Sequence, residues 1–268
     1  MKKIKVLHDQ HMHSCYSQDS KEILENYFIK AYEANCDFLV TTEHVDFHLV
    51  DYKTSWIADF NLLKKELNEL HQKYPSITPL LGIEVGYKKK YIDLVTNIIN
   101  SQDFDIVNLS IHEIPEVDFY KYSYFEKYGI DTLLNDYFDA MIEATKNFKN
   151  FDVLSHLDYG FKTAYLENKN LKISKYEDKI KQVFINLIEN DKTFEINTKV
   201  QSVINDEHTI YLLNLYKSLG GKNLSLSSDA HEAYKYRNNF DHYIKLIKEC
   251  GFDYLVYYVK REKHYYNI

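Results

Sequence analysis

The strongest constraint on the fold of this 268-residue chain is an alternation of short β-like runs with longer helical patterns. The β-like runs are rich in Val, Ile, Leu, Phe and Thr and are short enough for buried strands. They cover residues 4–11, 37–44, 77–86, 104–112, 151–158, 193–199 and 222–231. Seven strand–helix units in a row predict parallel strands joined by crossover helices, and a closed or nearly closed barrel suits that number.

The segments between these runs carry apolar residues at helical spacing. The predicted helices cover residues 21–35, 55–74, 90–100, 129–148, 175–191, 209–221 and 239–251. Gly220, Gly221 and Gly251 mark the C-terminal ends of the last two helices. The pattern therefore predicts an α/β protein built from repeated strand–helix units.

The rest of the chain is assigned to loops and a closing segment. The loops 112–128 and 159–174 are expected to overhang one rim of the barrel, and residues 254–268 predict a late strand and a closing segment. No linker, repeat or low-complexity tract interrupts the pattern. We therefore predict a single barrel domain over residues 1–268.

Residues that bind metal ions recur along the chain, nearly all at the downstream ends of the β-like runs. Six histidines and three carboxylates belong to this set: His11, His13, Asp19, His44, Glu84, His112, His156, Asp229 and His231. Imidazole and carboxylate are ligands that Zn, Fe and Mn accept. Since functional residues of parallel barrels gather at the C-terminal ends of the strands, one rim could bring all nine together.

Taken one at a time, several of these residues also have explanations that need no metal ion. Alternate residues of a strand face opposite ways, so His11 and His13 reach one metal only where a strand ends or bends. Glu84 lies within an apolar run and no lysine or arginine follows until Lys88. A carboxylate that bridges two metals would satisfy Glu84, and a buried salt bridge is the alternative. His44 follows Glu43, and the pair could be a ligand and its supporting partner.

The remaining histidines do not fit the metal-binding pattern and serve as a comparison set for it. Five of them are expected to be ordinary surface or core residues: His48, His71, His208, His242 and His264. His8 precedes the first motif on the same predicted strand. It is either an ordinary residue or a proton carrier near the site.

Composition narrows the classes of function. The net charge of −7 argues against bulk nucleic-acid binding, which needs a basic surface, but not against a small phosphate ester held by metal. No apolar run is long enough to span a membrane, and the N-terminal residues lack the apolar core of a signal peptide. Cys15, Cys36 and Cys250 form no disulfide or metal motif, which favours reduced thiols in a cytoplasmic protein. Cys15, close to His13, is a minor alternative ligand.

Several metal ions close together suit phosphoester hydrolysis. One ion lowers the pKa of bound water, while the others hold the phosphate oxygens and the leaving alkoxide. The sequence has no Gly-rich phosphate loop and no Gly-x-Ser-x-Gly elbow. Asp229 and His231 are the candidate catalytic residues, acting through metal-bound water. We therefore predict a multinuclear metal hydrolase.

The motifs HDQHMHS, TTEH, GIEVG, SIH, SHLD and SSDAH, in this order over about residues 4–235, resemble those of the PHP (polymerase and histidinol phosphatase) superfamily. The segments HLDYGFK and EINTK are most similar to the histidinol-phosphatase branch. The resemblance implies a distorted, TIM-like (β/α)7 barrel with three divalent ions (Zn, Fe or Mn) at the C-terminal rim of its strands. It also implies hydrolysis of L-histidinol phosphate to L-histidinol and phosphate in histidine biosynthesis.

The resemblance further implies which residues hold each ion. The first ion would be held by His11, His13, Glu84 and Asp229. Glu84 would bridge to a second ion held by His112 and His156. The third would be held by Asp19, His44 and His231, with Asp19 at a position where the family often has histidine.

The chain departs from the branch at the positions that would grip the phosphate. Lys162 stands where the branch usually has arginine, and Lys199 is the nearest cation in a segment, after EINT, that often carries another arginine. Lysine lacks the bidentate fork of arginine. Arg237 is a third candidate phosphate contact, or else a solvated residue at a helix start. These departures keep another substrate open, such as a nucleotide or sugar phosphate. A non-catalytic PHP module, as some PHP domains are within polymerases, is a separate alternative. The sequence does not predict the oligomeric state.

Overall fold

The computed structural model describes residues 4–268, so the first three residues of the predicted domain lie outside the described part. The strands, numbered along the chain, are β1 (Phe38–Asp46), β2 (Trp56–Ile57), β3 (Thr78–Gly86), β4 (Ile106–Ser110), β5 (Glu113–Ile114), β6 (Val117–Asp118), β7 (Val153–Leu154), β8 (Thr193–Asn197), β9 (Leu224–Ser227), β10 (Tyr254–Val259) and β11 (Glu262–Asn267). The α-helices are α1 (Leu24–Glu33), α2 (Phe60–Lys73), α3 (Ile92–Ser101), α4 (Tyr122–Tyr128), α5 (Ile130–Asn147), α6 (Tyr159–Glu167), α7 (Glu177–Glu189), α8 (Thr198–Ile204), α9 (Asp206–Ser218) and α10 (Phe240–Glu249).

The central sheet has the strand order β2-β1-β3-β4-β7-β8-β9. Its successive pairs from β1 to β9 are parallel, and the short β2 is antiparallel to β1 at the edge. Helices connect the parallel strands, as crossover connections require. This curled sheet confirms the predicted TIM-like α/β architecture, and six of the seven predicted β-like runs contain its parallel strands.

The predicted strand at 4–11 is wrong, because the structure has no strand in those residues. The side chain of Asp9 accepts hydrogen bonds from the backbone N–H groups of Ser228 and Arg237 at 2.9 Å, which tie this segment to a loop. The chain meets the sheet only at Met12, which forms an isolated parallel bridge to Ala230. The carbonyl oxygen of Met12 also accepts a hydrogen bond from the N–H of Thr42 in β1. The segment thus closes the gap between the two ends of the curled sheet.

The two faces of the sheet have different environments. Leu39, Leu81 and Val107 are buried in the main core, together with the apolar faces of the helices. Residues of the opposite parity form a second apolar cluster with the C-terminal strands: Val40, Leu80, Ile106, Val153, Val256 and Tyr258. By the two-residue period, His44 and Glu84 share this second face. It therefore runs from an apolar floor to a polar rim.

The floor is covered by the C-terminal hairpin of β10 and β11. Its two-residue turn, Lys260 and Arg261, has positive φ at both positions, which matches the twist of a tight hairpin. The guanidinium group of Arg261 donates to the carboxylate of Asp152, next to β7. The predicted late strand is present, and the rest of the tail pairs with it.

Three helices were not predicted. Helices α4 and α6 lie in the segments that were expected to be loops, and α8 directly follows β8. Residues 160–165 of α6 are buried all round, so the helix has no polar face to give its sequence an amphipathic period. In residues 4–268 no helix is both long enough and apolar enough to cross a membrane.

The outer helices are held by aromatic packing, which gives a stability prediction. Phe184 of α7 is fully buried, with its ring centroid 4.9 Å from that of Phe194 and 5.0 Å from that of Tyr216. We expect Phe184→Ala to lower the free energy of unfolding by about 3–5 kcal/mol, because it leaves a cavity between helix and sheet. Chemical denaturation would measure the loss. The neighbouring Ile185→Ala, at a position 40% exposed, should cost far less, and equal costs would contradict this packing.

Candidate metal centre

The nine predicted metal ligands converge at the C-terminal rim of the sheet, with the carboxylate of Glu84 at their centre. Five imidazole nitrogens lie 2.8–3.3 Å from its oxygens, those of His11, His13, His44, His112 and His156. Ser110 also donates a hydrogen bond to Glu84. Burial alone would raise the pKa of Glu84, but the surrounding imidazoles hold it well below its ordinary value. Glu84 is therefore an ionised carboxylate shared by several imidazoles.

His11 and His13 approach each other closely despite their alternate spacing. Their Nε2 atoms are 3.1 Å apart, and Asp229 Oδ1 lies 3.4 Å from Nε2 of His13. Two ligands about 2.1 Å from one ion stand roughly 3.0–3.4 Å apart. Met12 pairs with Ala230 only as an isolated bridge, so the chain is not a continuous strand here and both rings reach the same site. The spacing thus fits two ligands of the same ion.

The third predicted group lies at the mouth of the site. Oδ2 of Asp19 is 3.0 Å from Nε2 of His231 and 3.3 Å from Nε2 of His44. The Asp19 side chain is one-third exposed, unlike Glu84. Asp19 therefore closes the outer side of the cluster.

Four sets of three side chains have donor atoms within 4.8 Å of one another: His13–His44–His231, His11–Glu84–His156, His11–His13–Asp229 and His44–Asp46–His112. The sets share members, as expected where neighbouring ions share ligands. Carboxylates at the centre outnumber the two nearby lysines, Lys162 and Lys199, so the buried negative charge needs further cations. Divalent ions or protonated imidazoles would meet this need. The donor set itself fits Zn, Fe or Mn.

Asp46 is hydrogen-bonded to His112 and lies beside His44, and the sequence analysis missed it. Its Oδ1 is 3.0 Å from Nδ1 of His112 and its Oδ2 is 3.3 Å from Nδ1 of His44. A carboxylate that accepts from Nδ1 leaves Nε2 free for a metal. Gly86 leaves the room that this requires, because a Cβ there would lie 1.7 Å from Asp46 Oδ1. Its position two residues after His44, on the same face of β1, could have identified it.

Glu195 supports His11 and His156, and the sequence analysis also missed it. Its Oε1 is 2.8 Å from Nδ1 of His11, and its Oε2 accepts from the backbone N–H of His156 at 2.7 Å. Ser227 donates to the same carboxylate at 2.6 Å. Like Glu84, it is an acid within an apolar strand, so the argument used for Glu84 would have found it.

Glu43 has the supporting role that its position before His44 predicted, but for a different histidine. Its carboxylate accepts hydrogen bonds from the hydroxyl groups of Ser14 and Ser17 at 2.5 Å. The hydroxyl of Ser17 also lies 3.1 Å from Nδ1 of His13. Glu43 thus orients His13 through a serine.

Two candidate ligands have a backbone conformation that is uncommon outside glycine. His156 has φ of 21° and Asp229 has φ of 49°. Each lies two residues after the end of a strand, β7 or β9, where the chain turns to present the side chain to the rim. Such conformations cluster at functional sites because packing has to impose them.

A cavity of about 330 Å³ opens above the cluster. Lys162 and Lys199, the two lysines predicted to contact the phosphate, line this cavity. Nζ of Lys199 lies 3.4 Å from Asp229 Oδ1 and 3.2 Å from His231 Nδ1. Burial, together with the neighbouring ammonium of Lys199, lowers the pKa of Lys162 to about 8. Nζ of Lys162 lies 4.7 Å from the ring centroid of Tyr159.

The predicted phosphate contact of Arg237 is not supported by its position. Its Nε donates to the carbonyl oxygen of Leu7 at 2.9 Å, and its guanidinium carbon lies 5.1 Å from the ring centroid of Phe240. Arg237 does not line the cavity. It anchors the N-terminal segment, because a nearby carbonyl satisfies its side chain.

His8 does not reach the site either. Its ring lies 5.4 Å from that of Phe38 and 5.5 Å from that of Tyr257, near the floor of the barrel. Burial and the charge of Arg237 lower the pKa of His8 to about 3, so it is neutral. Cys15 does not line the cavity either. The same holds for the five histidines expected to be ordinary residues: His48, His71, His208, His242 and His264.

The support given by Asp46 can be tested with Asp46→Asn. We expect this change to weaken divalent-metal binding about 10- to 100-fold, because Nδ1 of His112 loses the charged acceptor that keeps it a proton donor. Zinc titration against a competing chelator would measure it. Asp103→Asn removes the same charge at an exposed position and should leave the affinity unchanged. Equal affinity in both variants would show that Asp46 does not support the site.

Comparison with known proteins finds a PHP-domain family model and relatives that are named as histidinol-phosphatases. Residues 9–199 match the model of the PHP domain family. The histidinol-phosphatase of Lactococcus lactis subsp. lactis (strain IL1403) is 28% identical over 250 residues, covering 91% of each chain. A probable histidinol-phosphatase of Clostridium acetobutylicum is 26% identical and covers 92% of this chain and 94% of its own.

Solved structures share the fold. The histidinol phosphate phosphatase of Lactococcus lactis, crystallised with zinc, L-histidinol and phosphate, superimposes with a TM-score of 0.86 at 24% identity. The alignment covers 96% of this chain and 98% of that one. A histidinol phosphatase structure from Listeria monocytogenes, described as putative, gives a TM-score of 0.74 at 18% identity, covering 88% and 99%. Since the family model matches well over half of its residues, this chain belongs to the PHP domain family.

Proposed function

We propose that this chain is a metal-dependent phosphomonoesterase that hydrolyses L-histidinol phosphate to L-histidinol and phosphate, a reaction of histidine biosynthesis. The observation that carries the proposal is the convergence of eight other candidate ligands around Glu84, beneath a small cavity that two lysines line. The names of the relatives support the choice of substrate, since they match nearly the whole chain.

The proposed centre holds three divalent ions. We assign His11, His13, Glu84 and Asp229 to the first, Glu84, His112 and His156 to the second, and Asp19, His44 and His231 to the third. Bound ions would supply Lewis acidity, which lowers the pKa of water and offsets the charge of the phosphoryl oxygens. Zinc is favoured among Zn, Fe and Mn because the Lactococcus structure contains it.

The residues of the chain contribute orientation and charge. Lys162 and Lys199 bind the phosphate from the side of the cavity near Asp229, each as a point charge. Asp46 holds the ring of His112 in one orientation, and Glu195 does the same for the ring of His11. We keep Asp229 and His231 as the proposed catalytic pair, since Asp229 Oδ1 lies 3.5 Å from His231 Nδ1 at the edge of the cavity.

The competing proposal is a phosphatase for another small ester, and the lysines in place of arginines favour it. Purified protein loaded with zinc or manganese should release phosphate from L-histidinol phosphate at least about 100-fold faster than from nucleotides, sugar phosphates and simple aryl phosphates. Phosphate release across such a panel would be measured as kcat/KM. Equal and slow rates on every ester would reject the histidinol assignment and leave the general activity standing.

A further inference from the structure

The outer wall of the cavity carries a carboxylate without a cationic partner. Asp118, on β6, lines the cavity and is only 7% exposed. Its Oδ1 accepts a hydrogen bond from the backbone N–H of Tyr120 at 2.8 Å. Within residues 4–268 it forms no ion pair with a lysine, arginine or histidine.

The neighbouring lysines are engaged elsewhere. Lys88 pairs with Glu113, which lies opposite Asp118 in the β5–β6 hairpin. Lys121 pairs with Asp51, with Nζ 2.5 Å from its Oδ2. Burial raises the pKa of Asp118, which reflects the cost of an unpaired charge in this wall. A cation that entered the cavity would remove this cost.

The same wall is aromatic. Tyr52, Trp56 and Tyr120 line the cavity, and the rings of Tyr52 and Trp56 lie 4.9 Å apart. Aromatic faces attract cations and stack on planar rings. The cavity is therefore divided, with two ammonium groups near the metal centre and a carboxylate among aromatic rings on the outer wall.

This division fits a ligand with a phosphate at one end and a cationic, ring-bearing group at the other. We infer that Asp118 binds the ammonium group of the alcohol half of the substrate and thereby determines the specificity for amino-alcohol phosphates. The inference rests on the proposed function and names a residue that selects the substrate. Asp118 is a binding residue in this scheme and takes no part in cleavage of the ester bond.

A purely structural role for Asp118 is the alternative, because its Oδ1 already accepts from the hairpin backbone. Asp118→Asn separates the two roles. The amide keeps an oxygen acceptor for the N–H of Tyr120 but loses the negative charge. Glu116→Gln, at an exposed position of the same hairpin, removes an equal charge outside the cavity and is the matched control.

The test uses two pairs of compounds that differ only in the amino group. The first pair is L-histidinol and 3-(imidazol-4-yl)propan-1-ol, whose binding to the zinc-loaded protein is measured by calorimetry. The second pair is their phosphate esters, whose kcat and KM are measured. We expect Asp118→Asn to weaken binding of L-histidinol, and to raise KM for its phosphate, about 10- to 100-fold. The compounds without the amino group should be unaffected, and Glu116→Gln should behave as the parent protein.

The outcomes keep the two proposals apart. Equal losses for both members of a pair, or no loss for either, would overturn the role of Asp118, whether or not phosphate esters are hydrolysed. Selective loss of L-histidinol binding in a protein that releases no phosphate from either ester would retain Asp118 as the ammonium site. The same result would refute the phosphatase activity.

Discussion

Replacing Glu84 by glutamine should lower kcat/KM for phosphate-ester hydrolysis by at least about 1,000-fold and remove bound metal. The carboxylate lies within 3.3 Å of five imidazole nitrogens, so its charge holds the whole cluster together. A neutral amide would present an N–H donor to nitrogens that have to face metal ions. Metal content by elemental analysis, measured alongside activity, would check the expectation.

Asp105→Asn is the matched control for this variant. Asp105 lies at the opposite end of the sheet and accepts hydrogen bonds from the backbone N–H groups of Leu81 and Lys260. Its replacement should leave metal content and activity in place, even if it lowers stability. A folded Glu84→Gln protein with full metal content would contradict the bridging role.

The second large effect is expected at Lys162. We expect Lys162→Met, which keeps the apolar stem but removes the charge, to lower kcat/KM about 100-fold, because one cationic contact to the phosphate is lost. Lys169→Met, at an exposed position just beyond α6, should have no effect. Steady-state kinetics would measure both, and unchanged activity in Lys162→Met would exclude it from phosphate binding.

The pH dependence of activity gives an independent check on Lys162. Its pKa is lowered to about 8, so the ammonium is present below that pH and is lost above it. Since kcat/KM reports ionisation of the free enzyme, it should fall as the pH rises through about 8. Arginine keeps its charge in this range, so Lys162→Arg should show a smaller decline. An identical decline in both proteins would assign it to another group.

The clustering of the candidate metal ligands could be predicted because their positions follow from local rules. Parallel strands with crossover helices place the C-terminal ends of the strands at one rim, so residues at or just beyond those ends, such as His44, His112 and His156, approach one another. The acid within the apolar strand at Glu84 needed a partner in any fold. Asp46 and Glu195 obey the same rules, but nothing in their local sequence distinguishes a ligand from a residue that orients one.

Other features could not be read from local pattern. The N-terminal segment reads as a strand, yet the side chain of Asp9 ties its backbone to a loop more than 200 residues away. Arg237 follows a metal motif closely but turns to a carbonyl of that same segment. Helix α6 lacks an amphipathic period because its surroundings bury it on every side.

The sequence by itself determined the alternation of six parallel strands with helices, the types of the candidate ligands and the end of the barrel where they gather. These depend on periods of two and 3.6 residues and on the direction of parallel strands, which are properties of a few neighbouring residues. Only the tertiary structure decided which carboxylates orient the imidazoles, where Arg237 points and why Asp118 faces the cavity unpaired. Those outcomes depend on distances between side chains far apart in the chain, and such distances are fixed only when the whole sheet has curled and closed.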